Sequence, residues 1–112
     1  MTQSAPSECL AVRTRPNNIG KRRKITAIDG AELHFIVEDE IIVPQGDYKL
    51  IYFQKFRWER GGNTEYRLTY YMIGHKPGKR GQWVFGQYSL MLPAELLRAI
   101  LDEARIRGWE GL

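Results

Sequence analysis

The side chains best suited to chemistry in this chain are cations interleaved with aromatic rings. Lys49, Lys55, Arg57 and Arg67 alternate along the chain with Tyr52, Phe56, Trp58, Tyr66, Tyr70 and Tyr71, and a loop bearing His75, Lys76, Lys79 and Arg80 follows. Cations hold phosphates, and each base stacked on an aromatic ring contributes about 1–3 kcal/mol, so the mixture suits single-stranded nucleic acid. A second basic cluster, Lys21-Arg22-Arg23-Lys24 preceded by Arg13 and Arg15, has the composition of an arm that embraces a phosphate backbone.

Other chemistries find less material. His34 and His75 stand far apart, no zinc-type pair of ligands occurs, and Gly78-Lys79-Arg80-Gly81 precedes a strand rather than a helix, unlike a phosphate-cradling loop. No nucleophile-elbow pattern is present. Glu38-Asp39-Glu40 reads as a solvated bend, with a divalent cation as the alternative for three clustered carboxylates. Glu32, Asp39, Glu40, Glu59 and Glu65 fall at hairpin ends rather than around one convergent metal site. The expectation is therefore no catalytic residue, no metal and no cofactor. Cys9, the single cysteine, has no partner for a disulfide and reads as an incidental thiol.

Seventeen Lys and Arg against thirteen Asp and Glu give a formal charge of +4, a long-range field that favours anionic partners. No apolar run reaches the roughly 20 residues that span a bilayer, and Met1 to Leu10 lacks the apolar stretch of a signal peptide. These features lead us to expect a cytoplasmic protein with no membrane partner.

The elements that must position the cations and rings come from periodicity. Residues 1–24 hold Ser4, Pro6, Pro16, Asn17, Asn18 and Gly20 without periodicity and read as a flexible basic arm, leaving 25–112 as a single domain. Asp29-Gly30 joins Ile25–Ile28 to the alternating run Ala31–Val37, which predicts a hairpin with a type I′ turn. Ile41–Val43 resumes after the acidic triplet, and Pro44-Gln45-Gly46-Asp47 turns the chain.

Tyr48 to Trp58 is a long alternating strand, and Gly61-Gly62-Asn63 returns it along Glu65 to Ile73, forming a second hairpin. Alternation separates an aromatic set (Tyr48, Leu50, Tyr52, Gln54, Phe56, Trp58) from a half-basic one. We expect the basic face to carry Phe53, Lys55, Arg57, Arg67, Thr69 and Tyr71, with the aromatic set free to serve as core. A further strand runs from Gln82 to Met91, with Gly86 as a bulge or close backbone approach. Pro93, Glu95 and the spacing of Leu96, Leu97, Ile100, Leu101 and Ala104 predict an amphipathic helix stopped by Gly108, with Trp109 placed for the contact of a Schellman end.

The sum is an α+β fold: an antiparallel sheet of about five strands, two hairpins plus a further strand, packed by one C-terminal amphipathic helix. One helix covers one face, so the opposite face is expected to meet solvent, a second chain or a ligand.

The basic loop Lys76-Pro77-Gly78-Lys79-Arg80-Gly81, followed by a strand and then by Leu92-Pro93 leading into the helix, resembles the single-stranded-DNA-binding coactivators of the positive-cofactor-four type and their PUR and Whirly relatives. The resemblance covers roughly the last 65 residues. It implies that Lys76, Lys79 and Arg80 bind the strand from the turn, that Lys55 and Arg57 do so from the sheet, and that the protein is a homodimer. In those coactivators a short strand joins turn to helix; here the expected strand is longer.

Two functions follow as expectations. The first is a nucleic-acid-binding module preferring single-stranded DNA or RNA, with Lys55, Arg57, Arg67, Tyr71, His75, Lys76, Lys79, Arg80, Arg22 and Arg23 as binding residues. The alternative is a protein-interaction or homodimerisation domain that binds no nucleic acid.

Overall fold

A computed structural model describes residues 15–75 and 77–112 of the chain. Five strands, β1 (Arg22–Thr26), β2 (Glu32–Pro44), β3 (Lys49–Trp58), β4 (Thr64–Ile73) and β5 (Trp83–Phe85), are followed by one helix, α1 (Ala94–Ile106). Strand order in space repeats chain order, every neighbour is antiparallel, and the sheet curls into a half-barrel. The expected α+β class is the one observed.

The first hairpin forms where Asp29-Gly30 places it, but with a different turn. Gly30 N–H donates to the Ala27 carbonyl at 2.9 Å, Ala27 N–H donates to the Ala31 carbonyl, and Gly30 alone has positive φ, at 91°. Asp29 has no positive φ, so the type I′ geometry is absent. Ile28, Asp29 and Gly30 instead form a three-residue loop in which glycine takes the left-handed position.

The acidic triplet is not a bend. β2 runs through it for 13 residues, and the pairing with β3 shifts between Val37 and Asp39, leaving Glu38 in a β-bulge. A bulge inserts one residue and so reverses the alternation beyond it. Val37 pairs with Phe56 and Glu40 with Gln54 on one face, while Asp39 pairs with Lys55 and Ile41 with Phe53 on the other.

α1 covers the second of these faces. Ile100, Ala104 and Trp109 bury with Ile41, Ile51 and Phe53 into one core, each large side chain contributing about 1.5–3 kcal/mol. Its end is a Schellman motif: Trp109 N–H donates to the Ala104 carbonyl and Gly108 N–H to that of Arg105, both at 3.0 Å. The motif sets Trp109 between Phe53 and Tyr66, whose ring it stacks at 14° between planes.

The face away from α1 is also buried, against expectation. Phe35, Val37, Leu50, Tyr52, Gln54 and Phe56 are almost completely enclosed, because the sheet curls over its own inner face. The chain before β1 completes the cover. Gly20 N–H donates to the Val37 carbonyl at 2.7 Å, the Tyr52 hydroxyl donates to the Pro16 carbonyl at 2.6 Å, and Asn18 is 1% exposed. The boundary expected after Lys24 therefore moves: residues 15–21 belong to the domain, and Arg22, Arg23 and Lys24 are strand. Cys9 and Arg13 lie outside the described residues.

The strand expected over Gln82 to Met91 ends at Phe85. Gly86 N–H donates to the Tyr70 carbonyl at 2.7 Å, and Tyr88 N–H donates to the Tyr70 hydroxyl at 3.2 Å, so the chain wraps this buried ring instead of continuing. A Cβ on Gly86 would fall on the ring atoms of Tyr70. We predict that Gly86→Ala destabilises the domain by about 1–3 kcal/mol, as overpacking does, read as a lower urea midpoint with an unchanged m-value. An unaltered midpoint would mean that the segment does not lie on Tyr70.

Candidate functional site

The inner face contains a polar chain that its aromatic neighbours would not suggest. The Glu40 carboxylate, buried at 6% exposure, accepts from the Asn18 backbone N–H at 2.9 Å, from Asn18 Nδ2 at 3.3 Å and from Gln54 Nε2 at 2.8 Å. Gln54 Oε1 in turn accepts from Arg67 Nε at 2.6 Å. Asn18 Oδ1 accepts from Arg23 and from the Tyr71 hydroxyl. Buried polar groups need partners, and these satisfy one another across the segment before β1 and all of β1 to β4.

The curl brings the two ends of this chain together. β1 and β4 are not neighbours in the sheet, yet Arg23 and Tyr71 share Asn18. Between the edges lies a cavity of about 330 Å³ lined by Arg23, Lys24, Arg67, Tyr71 and Phe85. Its rings form a connected wall: Tyr71 meets Tyr52 edge-on at 4.9 Å and Phe85 at 5.4 Å. The Arg67 guanidinium lies over Phe35 at 5.0 Å and over Phe85 at 5.5 Å.

The electrostatics of this seam are unusual in one respect. Lys24 reaches Glu32 at 3.5 Å, but among the described residues neither Arg23 nor Arg67 has a carboxylate partner within ion-pair distance. Burial lowers the Arg67 pKa from its ordinary value, and the like charge of Arg23 adds to the fall, while Tyr71 and Glu40 oppose it. Arginine nevertheless stays protonated. Two adjoining cations without a carboxylate in ion-pair contact, half-removed from water, favour an incoming anion.

The residues singled out from sequence divide among three places. Arg23, Arg67 and Tyr71 converge on the seam. Lys55 and Arg57 do not join them. Arg57 pairs with Thr64, so odd-numbered residues of β3 share a face with even-numbered residues of β4, and Lys55 stands beside Tyr66 while Arg67 stands beside Gln54. The proposed basic face of Phe53, Lys55, Arg57, Arg67, Thr69 and Tyr71 is thus split between the two sides of the sheet. Lys55 lies 3.9 Å from Glu110, and Arg57 lies 3.3 Å from Glu38. Arg22, one residue from the seam and on the other side of β1, makes two hydrogen bonds to Glu59; the stronger pairing raises the Arg22 pKa and lowers that of Glu59.

The basic loop forms the third place. The His75 ring meets Tyr48 at 6.3 Å, Arg80 bridges to Gly74, and Lys79 lines an outer groove of about 370 Å³ with Tyr70, Met72, Val84 and Tyr88. Lys76 lies outside the described residues. Phe85 borders both this groove and the seam.

Phe85 was not among the binding residues expected from sequence, nor were Asn18, Glu40 and Gln54 as support, and Lys24 entered only as part of the basic run of the arm. One signal was present: Gln54 interrupts the run Leu50, Tyr52, Phe56, and a polar side chain on an apolar face needs buried partners. The three carboxylates read as a possible cation site diverge instead. Glu38 turns to Arg57, Asp39 to Arg107 and Trp109, and Glu40 to Asn18 and Gln54. No cluster of three His, Cys, Asp or Glu suited to a metal occurs among the described residues.

Tyr52, beneath the seam, carries a pH signature. Burial, with the Glu40 carboxylate adding to it, holds its phenol well above the ordinary tyrosine value. Above about pH 10 the unfolded chain loses this proton while the folded chain keeps it, so stability falls as pH rises. We predict a urea midpoint that drops between pH 9 and pH 11, and a smaller drop in Tyr52→Phe. That variant also loses the bond to Pro16, costing about 1 kcal/mol at neutral pH. Equal slopes in the two proteins would show that Tyr52 ionises normally.

No helix among the described residues is long and apolar enough to cross a membrane. No protein-family model, curated protein or solved structure matches the chain.

Proposed function

We propose that this domain binds single-stranded nucleic acid at the seam of its half-barrel. The observation that carries the reading is the convergence of Arg23, Lys24 and Arg67 with Tyr71 and Phe85 around one cavity, two of the cations lacking a carboxylate partner among the described residues. Guanidinium groups supply forked donors for phosphate oxygens, and the exposed Phe85 ring supplies a stacking surface. A duplex fits less well, because its bases are stacked inside and present no face to Phe85. Lys79, which shares the outer groove with Phe85, extends the basic track outward.

Fluorescence anisotropy of a labelled mixed-sequence single strand, repeated at two salt concentrations and with duplex competitor, tests the proposal. Three cations on single-stranded phosphates give a log–log salt slope of about −2, or tenfold to twentyfold weaker binding from 50 to 200 mM salt. Competition by duplex should be poor. Absence of binding at low salt would sink the reading.

A second reading, self-association, rests on Tyr88, which lines the outer groove, and on the exposed Met91 three residues on, not on the aromatic face, which the curl encloses. Light scattering distinguishes it: a mass of twice 13.0 kDa without any oligonucleotide binding would favour this reading over the first.

A further inference from the structure

We infer that the seam cavity takes a terminal nucleotide carrying a phosphate monoester, rather than an internal nucleotide of a continuous strand; this rests on the nucleic-acid reading of the same site. The first reason is size. About 330 Å³ lies near the lower limit for a small-ligand pocket and holds one nucleotide, not a run of them. The second is charge. Arg23, Lys24 and Arg67 line the space, and among the described residues no acidic side chain does. An internal phosphodiester brings one negative charge to two unpaired guanidinium groups and to Lys24, which is shared with Glu32, whereas a monoester brings close to two at neutral pH and matches the unpaired charge.

The third reason is preorganisation. Arg67 uses Nε on Gln54, and none of its other donors has an acceptor among the described residues. Its plane is fixed over Phe35 and Phe85. Arg23 is anchored through Asn18. Two guanidinium groups held this way present donors to several oxygens of one phosphate without ordering long side chains at the moment of binding. Beside them, Tyr71 and Phe85 offer ring surface for the base or sugar of the same nucleotide. Gln54 and Asn18, themselves held by Glu40, fix Arg67 and Arg23 from behind, so both guanidinium groups face the cavity from set positions.

The ligand chemistry has three sources: a 5′-phosphorylated end, a 3′-phosphorylated end and a free nucleoside monophosphate. Anisotropy with one labelled single strand in 5′-phosphate, 3′-phosphate and doubly hydroxyl forms, with adenosine monophosphate as competitor, separates them. We expect one phosphorylated form to bind at least tenfold tighter than the hydroxyl form. Lys24→Gln, on an exposed edge strand where folding is safe, should reduce that preference to about threefold or less. Equal affinity for all three strands would overturn the inference and leave the nucleic-acid reading standing. Binding of adenosine monophosphate with no strand binding would uphold the monoester pocket and overturn the strand reading. Failure of every probe would overturn both.

Discussion

Glu40→Ala is expected to remove about 3–5 kcal/mol of stability, a large share of the roughly 5–15 kcal/mol that holds a domain together. The substitution deletes the acceptor for three donors at once: the Asn18 backbone N–H, Asn18 Nδ2 and Gln54 Nε2. Each stays inside the half-barrel, where a donor without an acceptor costs about 1–3 kcal/mol. Glu40 also places a negative charge within the field of Arg67, so its loss leaves Arg23 and Arg67 less balanced. Glu40→Gln keeps the shape and one acceptor oxygen, and should retain more than half of the stability lost in Glu40→Ala. Urea denaturation followed by tryptophan fluorescence gives both values. A loss below about 1 kcal/mol in Glu40→Ala would mean that water replaces the carboxylate and that the network does not close the barrel.

That network also shows where the sequence stops being legible. Alternation along β3 and β4 and the helical spacing of Leu96, Ile100 and Ala104 depend on local geometry, and the structure follows them. The bulge at Glu38 carries no local mark: neither glycine nor proline is there, and the only sign is three consecutive acids, which read equally well as a bend. Its effect is not local, since it moves Asp39 and Ile41 to the helix side and Glu40 to the interior. The same arithmetic decided the candidate site. Arg67 and Tyr71 were legible as binding types, but grouping them with Lys55 and Arg57 required the parity of the β3–β4 turn, and a shift of one residue moves every side chain to the other face. Lys24 and Phe85 come from opposite ends of the chain and opposite edges of the sheet. Only the curl joins them, and curl arises from accumulated strand twist that no short segment specifies.

Charge reversal in the seam and in the basic loop should weaken binding to very different extents. Arg67→Glu should weaken single-strand binding by about a hundredfold, roughly 2.7 kcal/mol, because a charge-assisted phosphate bond is replaced by repulsion in a half-buried cavity. Lys79→Glu combined with Arg80→Glu should weaken it only a few-fold, since both residues are exposed and only Lys79 borders the neighbouring groove. Arg67→Glu also orphans Gln54 Oε1, so its stability must be measured beside its affinity. Phe85→Ala provides the independent check. The ring is 41% exposed, its loss leaves all three seam cations in place, and removal of one stacking surface should weaken binding by about tenfold while leaving the salt slope near −2. The opposite ranking, with the loop reversal abolishing binding and both seam variants behaving as wild type, would move the interface to the outer groove. In that case Arg23 and Arg67 would serve to close the barrel through Asn18 and Gln54 rather than to meet a ligand.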